Sequence, residues 1–328
     1  MTEQSKIPVP AKDRKGESLL ERASGAFALD SFAPAPVPKD LAQPPLKRGK
    51  VVDAKTVAPL PAEEFSAPSQ AVMVEPTPVQ APPAERMRFD TPVRQVDRRK
   101  LAEQGFIVPE GAVTALLEEF RIVKRAVLEA ARKSDKAQRV LVCSPLPGEG
   151  KTFCATNLAL AIAAEKDSEV LLVDADFAKP SVLSVLGLAG GPGLMDALAD
   201  PSVHIEDCVI KTDIPGLYVL PAGASTTSDS EFLTSRHTGE VLDRLTQGAS
   251  NRMVIFDSPP ALAASPAAEL AKHVGQVVLV SRADVTGRSS MDDALQLLGS
   301  CRDIKLLLND ARFSPSGRRF GAYYGYGG

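Results

Sequence analysis

The run Arg139-Val-Leu-Val-Cys-Ser144-Pro-Leu-Pro-Gly148-Glu-Gly150-Lys151-Thr152 leads from a continuous apolar stretch, through a turn rich in proline and glycine, into the helix-forming segment Lys151–Ala164. An unbroken apolar run of this length, without polar alternation, reads as a strand buried on both faces. Gly148-Glu-Gly-Lys-Thr152 matches the end of a P-loop. Glycines there let backbone N–H groups turn toward phosphate oxygens, and the helix N-terminus adds its partial positive charge. Lys151 can reach the β/γ-phosphates and the Thr152 hydroxyl can ligate Mg²⁺. Gly148, Glu149, Gly150, Lys151, Thr152 and Phe153 are the nucleotide-binding candidates. Pro145 stands where the full GxxxxGK[ST] spacing has its first glycine.

Strands and helices alternate on either side of this turn. Helical spacing of Val113, Leu116, Leu117, Phe120, Val123, Val127 and Leu128 precedes it. Apolar runs follow at Glu169–Val173, Leu217–Leu220, Arg252–Phe256, Gln276–Val280 and Ile304–Leu308, with helical segments around 231–247, 266–273 and 288–301. The pattern predicts an α/β fold, a doubly wound, mostly parallel sheet of the P-loop NTPase kind. In such a sheet the ligand lies beyond the C-terminal strand ends. Val170-Leu-Leu-Val-Asp174-Ala-Asp176 and Met253-Val-Ile-Phe-Asp257 place three acids there. Bare carboxylates so close repel one another, and a Mg²⁺–nucleotide would offset that repulsion. Thr152, Asp176 and Asp257 are the metal candidates, with Asp174 as base or water-positioning group. Lys151, Asp174 and Asp176 form the catalytic set.

Composition changes sharply upstream. Of 27 prolines, 16 lie in residues 1–110, and stretches such as Ala33-Pro-Ala-Pro-Val-Pro-Lys39 and Ala81-Pro-Pro-Ala84 cannot sustain a helix or a central strand. The expected organisation is a disordered proline-rich region 1–94, a P-loop domain 95–312 and a flexible Tyr/Gly-rich tail 313–328. Charge is nearly balanced, 38 Lys+Arg against 41 Asp+Glu, which argues against a dedicated nucleic-acid binder. No apolar run approaches the ~20 residues of a membrane span, and the N-terminus lacks the apolar core of a signal peptide. The four cysteines and three histidines show neither CxxC pairing nor zinc spacing. A cytoplasmic protein is expected.

Pro147-Gly-Glu-Gly-Lys-Thr152, Val173-Asp-Ala-Asp176 and Ile255-Phe-Asp-Ser-Pro-Pro260 resemble, in order, the Walker A, A′ and B motifs of the bacterial tyrosine autokinases of capsule and exopolysaccharide loci, the BY-kinases. Glu118-Glu-Phe-Arg121 with Lys124, Leu220-Pro-Ala-Gly223 and Glu231-Phe-Leu-Thr-Ser235 extend the resemblance over about 95–328. Glu119-Phe-Arg-Ile-Val-Lys-Arg125, Gly105-Phe-Ile-Val-Pro109 and Ser18-Leu-Leu-Glu-Arg22 resemble the branch beside exosortase-type exopolysaccharide clusters. The resemblance implies an ATP- and Mg²⁺-dependent protein-tyrosine autokinase regulating polysaccharide polymerisation and export. It also implies a homo-oligomeric ring contacted through Glu118, Arg121 and Lys124. An inner-membrane chain-length or co-polymerase protein would activate the chain and hold it at the membrane, and a cognate phosphatase would reverse it. From the residues alone, the helix charges read as a solvated face. Two departures bear on catalysis: Ala178 replaces the usual arginine after Walker A′, and Pro266 a common aspartate after Walker B. The rival readings are a partition or division-site ATPase switch, whose signature lysine is here Leu146, and a nucleotide-binding adaptor with weak kinase activity.

Three of the four tyrosines, Tyr323, Tyr324 and Tyr326, fall in the last six residues. They resemble the family's autophosphorylation cluster. A tyrosine hydroxyl, with a pKa near ~10, needs alignment with the γ-phosphate and a nearby base.

Overall fold

Eight strands form one sheet in the order β1-β4-β5-β3-β6-β2-β7-β8. The structure, a computed structural model, describes residues 86–226 and 228–311. In chain order the elements are β1 (Val93–Arg94), α1 (Arg98–Glu103), α2 (Ala115–Ala131), β2 (Arg139–Cys143), α3 (Lys151–Ala163), β3 (Glu169–Asp174), α4 (Val182–Leu186), α5 (Leu194–Ala199), α6 (Ile205–Cys208) and β4 (Ile210–Thr212). Then come β5 (Leu217–Leu220), α7 (Asp229–Leu233), α8 (Arg236–Thr246), β6 (Arg252–Asp257), α9 (Pro266–Ala271), β7 (Gln276–Arg282), α10 (Arg288–Leu297) and β8 (Ile304–Asn309). Every pairing is parallel except β4 with β5.

The period-two rule for strands separates two cores. Leu141, Leu171, Val173, Val254, Phe256 and Leu279 face one side, under Leu194, Leu233, Leu242 and Leu270 of α5, α7, α8 and α9. Val140, Val142, Val170, Leu172, Ile255 and Val278 face the other, against Val127 of α2 and Leu158 and Ile162 of α3. The sheet is therefore doubly wound, as its apolar strands predict. Helix α3 is buried continuously from Cys154 to Ala163, which matches its apolar composition. All four thiols are buried and unpaired.

The expected boundary at 94/95 is corrected. Residues 86–94 belong to the fold, although 1–85 and the tail 312–328 lie outside the described residues. Met87 and Phe89 are buried, and β1 pairs with β4 at the sheet edge. The physical cause is Arg252, a guanidinium buried at the start of β6. It donates to Met87 O at 2.8 Å, pairs with Glu169 at 3.1 Å and lies 4.2 Å from the Phe89 ring centre. Arg86 closes on the same Glu169 at 2.6 Å. A buried cation needs partners on every side, and the lead-in supplies them. Pro266 occupies the first turn of α9, where a missing N–H costs nothing.

Candidate active site

Chain order and strand order together place the P-loop beside its acids. β2 lies beside β6, and β6 beside β3, so the turn after β2 sits next to the end of β6 and one strand away from the end of β3. Asp174 and Asp257 are register partners at those ends. Gly148 and Gly150 adopt φ of 80° and 95°, the left-handed conformation that glycine tolerates. The N–H groups of Gly148, Glu149 and Gly150 have no acceptor among the described residues. Gly150 is also the N-cap of α3 and supplies no side-chain cap. Unpaired N–H groups at the start of a buried helix form an anion cradle.

The acids around this cradle differ from one another. Lys151 Nζ pairs with Asp176 Oδ2 at 2.6 Å, and Asp176 Oδ1 accepts from Lys179 N at 3.2 Å. Asp174 Oδ2 accepts from Ser181 N at 2.8 Å and Val182 N at 2.9 Å, and Oδ1 from Asp176 N at 3.3 Å. Burial holds the Asp174 pKa above the ordinary carboxylate value, and the Val182 and Ser181 N–H bonds oppose that. Asp257 is fully buried, and neither carboxylate oxygen has a partner among the described residues. Burial pushes its pKa up to about 7 against the pull of the Lys151 charge and of the Thr152 hydroxyl, which lies near the carboxylate without completing a hydrogen bond of good geometry. Thr152 Oγ1 lies 3.3 Å from Ser181 Oγ.

These residues fit a Mg²⁺–nucleotide. An orphaned buried carboxylate beside a threonine hydroxyl is the donor set of a hard cation that takes one or two protein oxygens and fills its shell with water and phosphate. The acids do not form a protein cage: among the described residues no group of three His, Cys, Asp or Glu could hold a metal. Of the two acids expected as metal ligands, Asp257 is without a hydrogen-bond partner among the described residues and Asp176 is turned to Lys151. Asp174, expected as base or water-positioning group, has Oδ2 committed to the start of α4.

Other expectations divide. The Glu149 side chain points into the protein, not the cradle: it is 1% exposed, and Oε2 accepts from Leu146 N at 2.8 Å. Phe153 packs on Phe106, ring centres 5.0 Å apart, so it ties α3 to the lead-in. Glu118 and Arg121 pair with each other, and Lys124 pairs with Glu165 at 2.5 Å. Those three charges are thus met within the chain. Tyr323, Tyr324 and Tyr326 lie outside the described residues. Sequence reading missed Ser181, Thr286 and Asn309, which reach the site from loops or an edge strand and carry no motif. No helix among the described residues is long and apolar enough to cross a membrane.

A protein-family profile described as an AAA domain matches residues 140–309, just over half the chain. The chain is 32% identical over 213 residues to the tyrosine-protein kinase YwqD of Bacillus subtilis, covering 64% of this chain and 86% of that protein. It is 34% identical over 209 residues to EpsB of Ralstonia nicotianae, covering 62% of this chain and 26% of that protein. It therefore spans about a quarter of the length of EpsB. Among solved structures, the chimerical protein CapA2B2 superposes with a TM-score of 0.53 at 26% identity, over 66% of this chain and 94% of that one. The kinase domain of Escherichia coli ETK, at 23% identity and a TM-score of 0.56 over 70% of this chain and 87% of that one, shares the fold.

Proposed function

The chain belongs to the AAA domain family and to the bacterial tyrosine-protein kinases, and from that premise we propose that it is an ATP-dependent protein-tyrosine autokinase. Its substrate is the cluster Tyr323, Tyr324 and Tyr326 of a second copy of the chain, and its biological output is regulated polymerisation and export of a surface polysaccharide. One observation carries the reading. Unpaired N–H groups at Gly148–Gly150, the Lys151 ammonium and the orphaned Asp257 carboxylate surround the start of one buried helix.

Each residue then has a task. The cradle N–H groups bind and orient phosphate oxygens. Lys151 leaves Asp176 for the phosphates, where a fixed charge stabilises the transferring group. Thr152 and Asp257 would hold Mg²⁺, which when bound neutralises charge developing on the phosphoryl oxygens. Asp176, released by Lys151, accepts the tyrosine proton, and Asp174 fixes the Asp176–Val182 loop that carries it. Lys179 follows Ala178 where the family arginine would be, and supplies a positive charge on that loop. The partners follow the family pattern. Copies assemble into a ring, an inner-membrane co-polymerase protein activates it from the cytoplasmic face, and a phosphatase resets it. Arg121 is half-exposed and offers the neighbour a contact.

Incubation with ATP labelled on its γ-phosphate, followed by mass spectrometry, tests the proposal. Deleting 321–328 is expected to remove nearly all phosphotyrosine while ATP binding persists. Phosphate concentrated on Tyr218, a strand residue of β5 packed on Phe89, would overturn the substrate assignment.

A further inference from the structure

A buried carboxylate inside a phosphate-binding loop needs an explanation, because it adds negative charge where an anion must bind. Both Glu149 oxygens are used. Oε2 accepts from Leu146 N within the loop at 2.8 Å, and Oε1 accepts from the Thr286 hydroxyl in the β7–α10 connection. Thr286 is itself held, since its hydroxyl oxygen accepts from Arg282 N at 2.8 Å. The Glu149 backbone is gripped separately. Asn309, at the end of β8, donates from Nδ2 to Glu149 O at 2.9 Å. The fit is close: a Cβ on Gly150 would lie 2.0 Å from that Nδ2. Asn309 O in turn accepts from Ala283 N at 2.9 Å, which joins the ends of β7 and β8.

We propose that Thr286 and Asn309 are positioning residues for nucleotide binding, acting through Glu149 to hold the P-loop open with its N–H groups unpaired and facing the phosphates. The inference rests on the nucleotide-binding part of the function proposed above. The logic is one of competition. A glycine-rich loop has many conformations, and most would pair its N–H groups internally. Glu149 takes the one N–H that must turn inward, that of Leu146, which lies between Pro145 and Pro147. Asn309 fixes the carbonyl on the other side of the same residue. With both ends set, the N–H groups of Gly148, Glu149 and Gly150 stay free for the ligand. A preorganised site spends no binding energy on ordering itself. The carboxylate is bonded on both oxygens and buried away from the cradle, so its charge is directed to Thr286 rather than to the phosphates.

The test uses the full chain with Thr286→Val, Thr286→Ser and Asn309→Ala, each also measured without nucleotide. Hydrogen exchange at the Leu146 amide reads the loop directly, and the affinity for fluorescent ADP with Mg²⁺ reads its consequence. Thr286→Val is expected to speed Leu146 exchange and weaken ADP binding by about tenfold, the loss expected for one hydrogen bond to a buried charged group. Thr286→Ser is expected to restore both, because it keeps the hydroxyl. Asn309→Ala is expected to weaken ADP binding with exchange in β2 and β6 unchanged. In a Glu149→Gln background the Thr286→Val effect shrinks, since no charge is left unpaired. Folded Thr286→Val and Asn309→Ala proteins with wild-type Leu146 exchange and wild-type affinity would overturn the proposal, as would faster exchange spread evenly over the sheet. A wild-type chain that binds no Mg²⁺–ADP would sink the kinase reading instead, and the exchange measurement would still judge the latch.

Discussion

Asp257→Asn is expected to make the nucleotide-free protein more stable and less able to use Mg²⁺. Asp257 is fully buried at the end of β6, with both oxygens unpaired, and burial lifts its pKa from 3.8 to about 7. An acid raised in this way binds more protons folded than unfolded between those values. Its contribution to stability is therefore largest at low pH and is lost as pH rises from about 4 to about 7. At about 1.4 kcal/mol per pH unit, the charged form costs about 4 kcal/mol above that window. Asparagine keeps the volume without the charge, but leaves a buried amide unpaired at about 1–3 kcal/mol. The net gain is about 2 kcal/mol near pH 8, or about 4–8 °C in melting temperature for a domain of this size.

Two measurements check it. Thermal unfolding of both proteins from pH 4 to pH 8 is expected to show a difference that changes sign, about 2 kcal/mol against the variant at the acid end and about 2 kcal/mol in its favour at pH 8. Unfolding with Mg²⁺ and ADP is expected to stabilise wild type by about 3 kcal/mol at a hundredfold excess over Kd, and to stabilise the variant much less. If Asp257→Asn melts lower than wild type at pH 8, or if the difference does not change with pH, then Asp257 is not an uncompensated buried acid and the metal-site argument fails with it.

Lys151→Met is expected to abolish phosphotyrosine and, by leaving Asp176 short of its ammonium, to cost about 1–3 kcal/mol. Adding Asp176→Asn recovers stability in urea unfolding but not activity, and recovery of both would remove Lys151 from the site. Gly150→Ala combines a φ of 95° with a Cβ 2.0 Å from Asn309 Nδ2, whereas at Gly148 nothing lies within 4 Å of the new Cβ. It is expected to lose more ADP affinity in a titration than Gly148→Ala does. Arg252→Ala removes the cation that Glu169 and the 86–90 lead-in enclose, and is expected to cost about 3–5 kcal/mol. Limited proteolysis is expected to cut the variant before β1 and to spare the wild type.

What sequence revealed and what it hid follow from how locally each feature is determined. The central strands were legible because residues buried on both faces must be continuously apolar, as in Val140–Cys143 and Val170–Val173. The P-loop was legible because Gly148 and Gly150 answer a backbone requirement that no other residue meets cheaply. β1 and β4 were not legible. They have two and three residues, lie first and second from the sheet edge, and owe their pairing to Thr91, Asp213 and Arg252 far away in sequence. The sorting of the three acids was also hidden. Asp174, Asp176 and Asp257 have equal standing in a motif, and only the placement of Ser181, Val182 and Lys151 divides them into a loop anchor, an ammonium partner and an orphan.

That division has a consequence for how the site works. Three carboxylates share one ammonium, and the most deeply buried of them is the one whose pKa rises to about 7. Phosphate can recruit Lys151 only by taking it from Asp176, which bares a second carboxylate in the same buried space. Nucleotide alone would thus trade one ion pair for another and add like charge. In the proposed function a divalent cation held by Thr152 and Asp257 would offset that charge. Asp176, once freed from Lys151, would then be open to accept the tyrosine proton. On that reading the cost of burying Asp257 without nucleotide and the freeing of Asp176 with it would be two sides of a single charge balance.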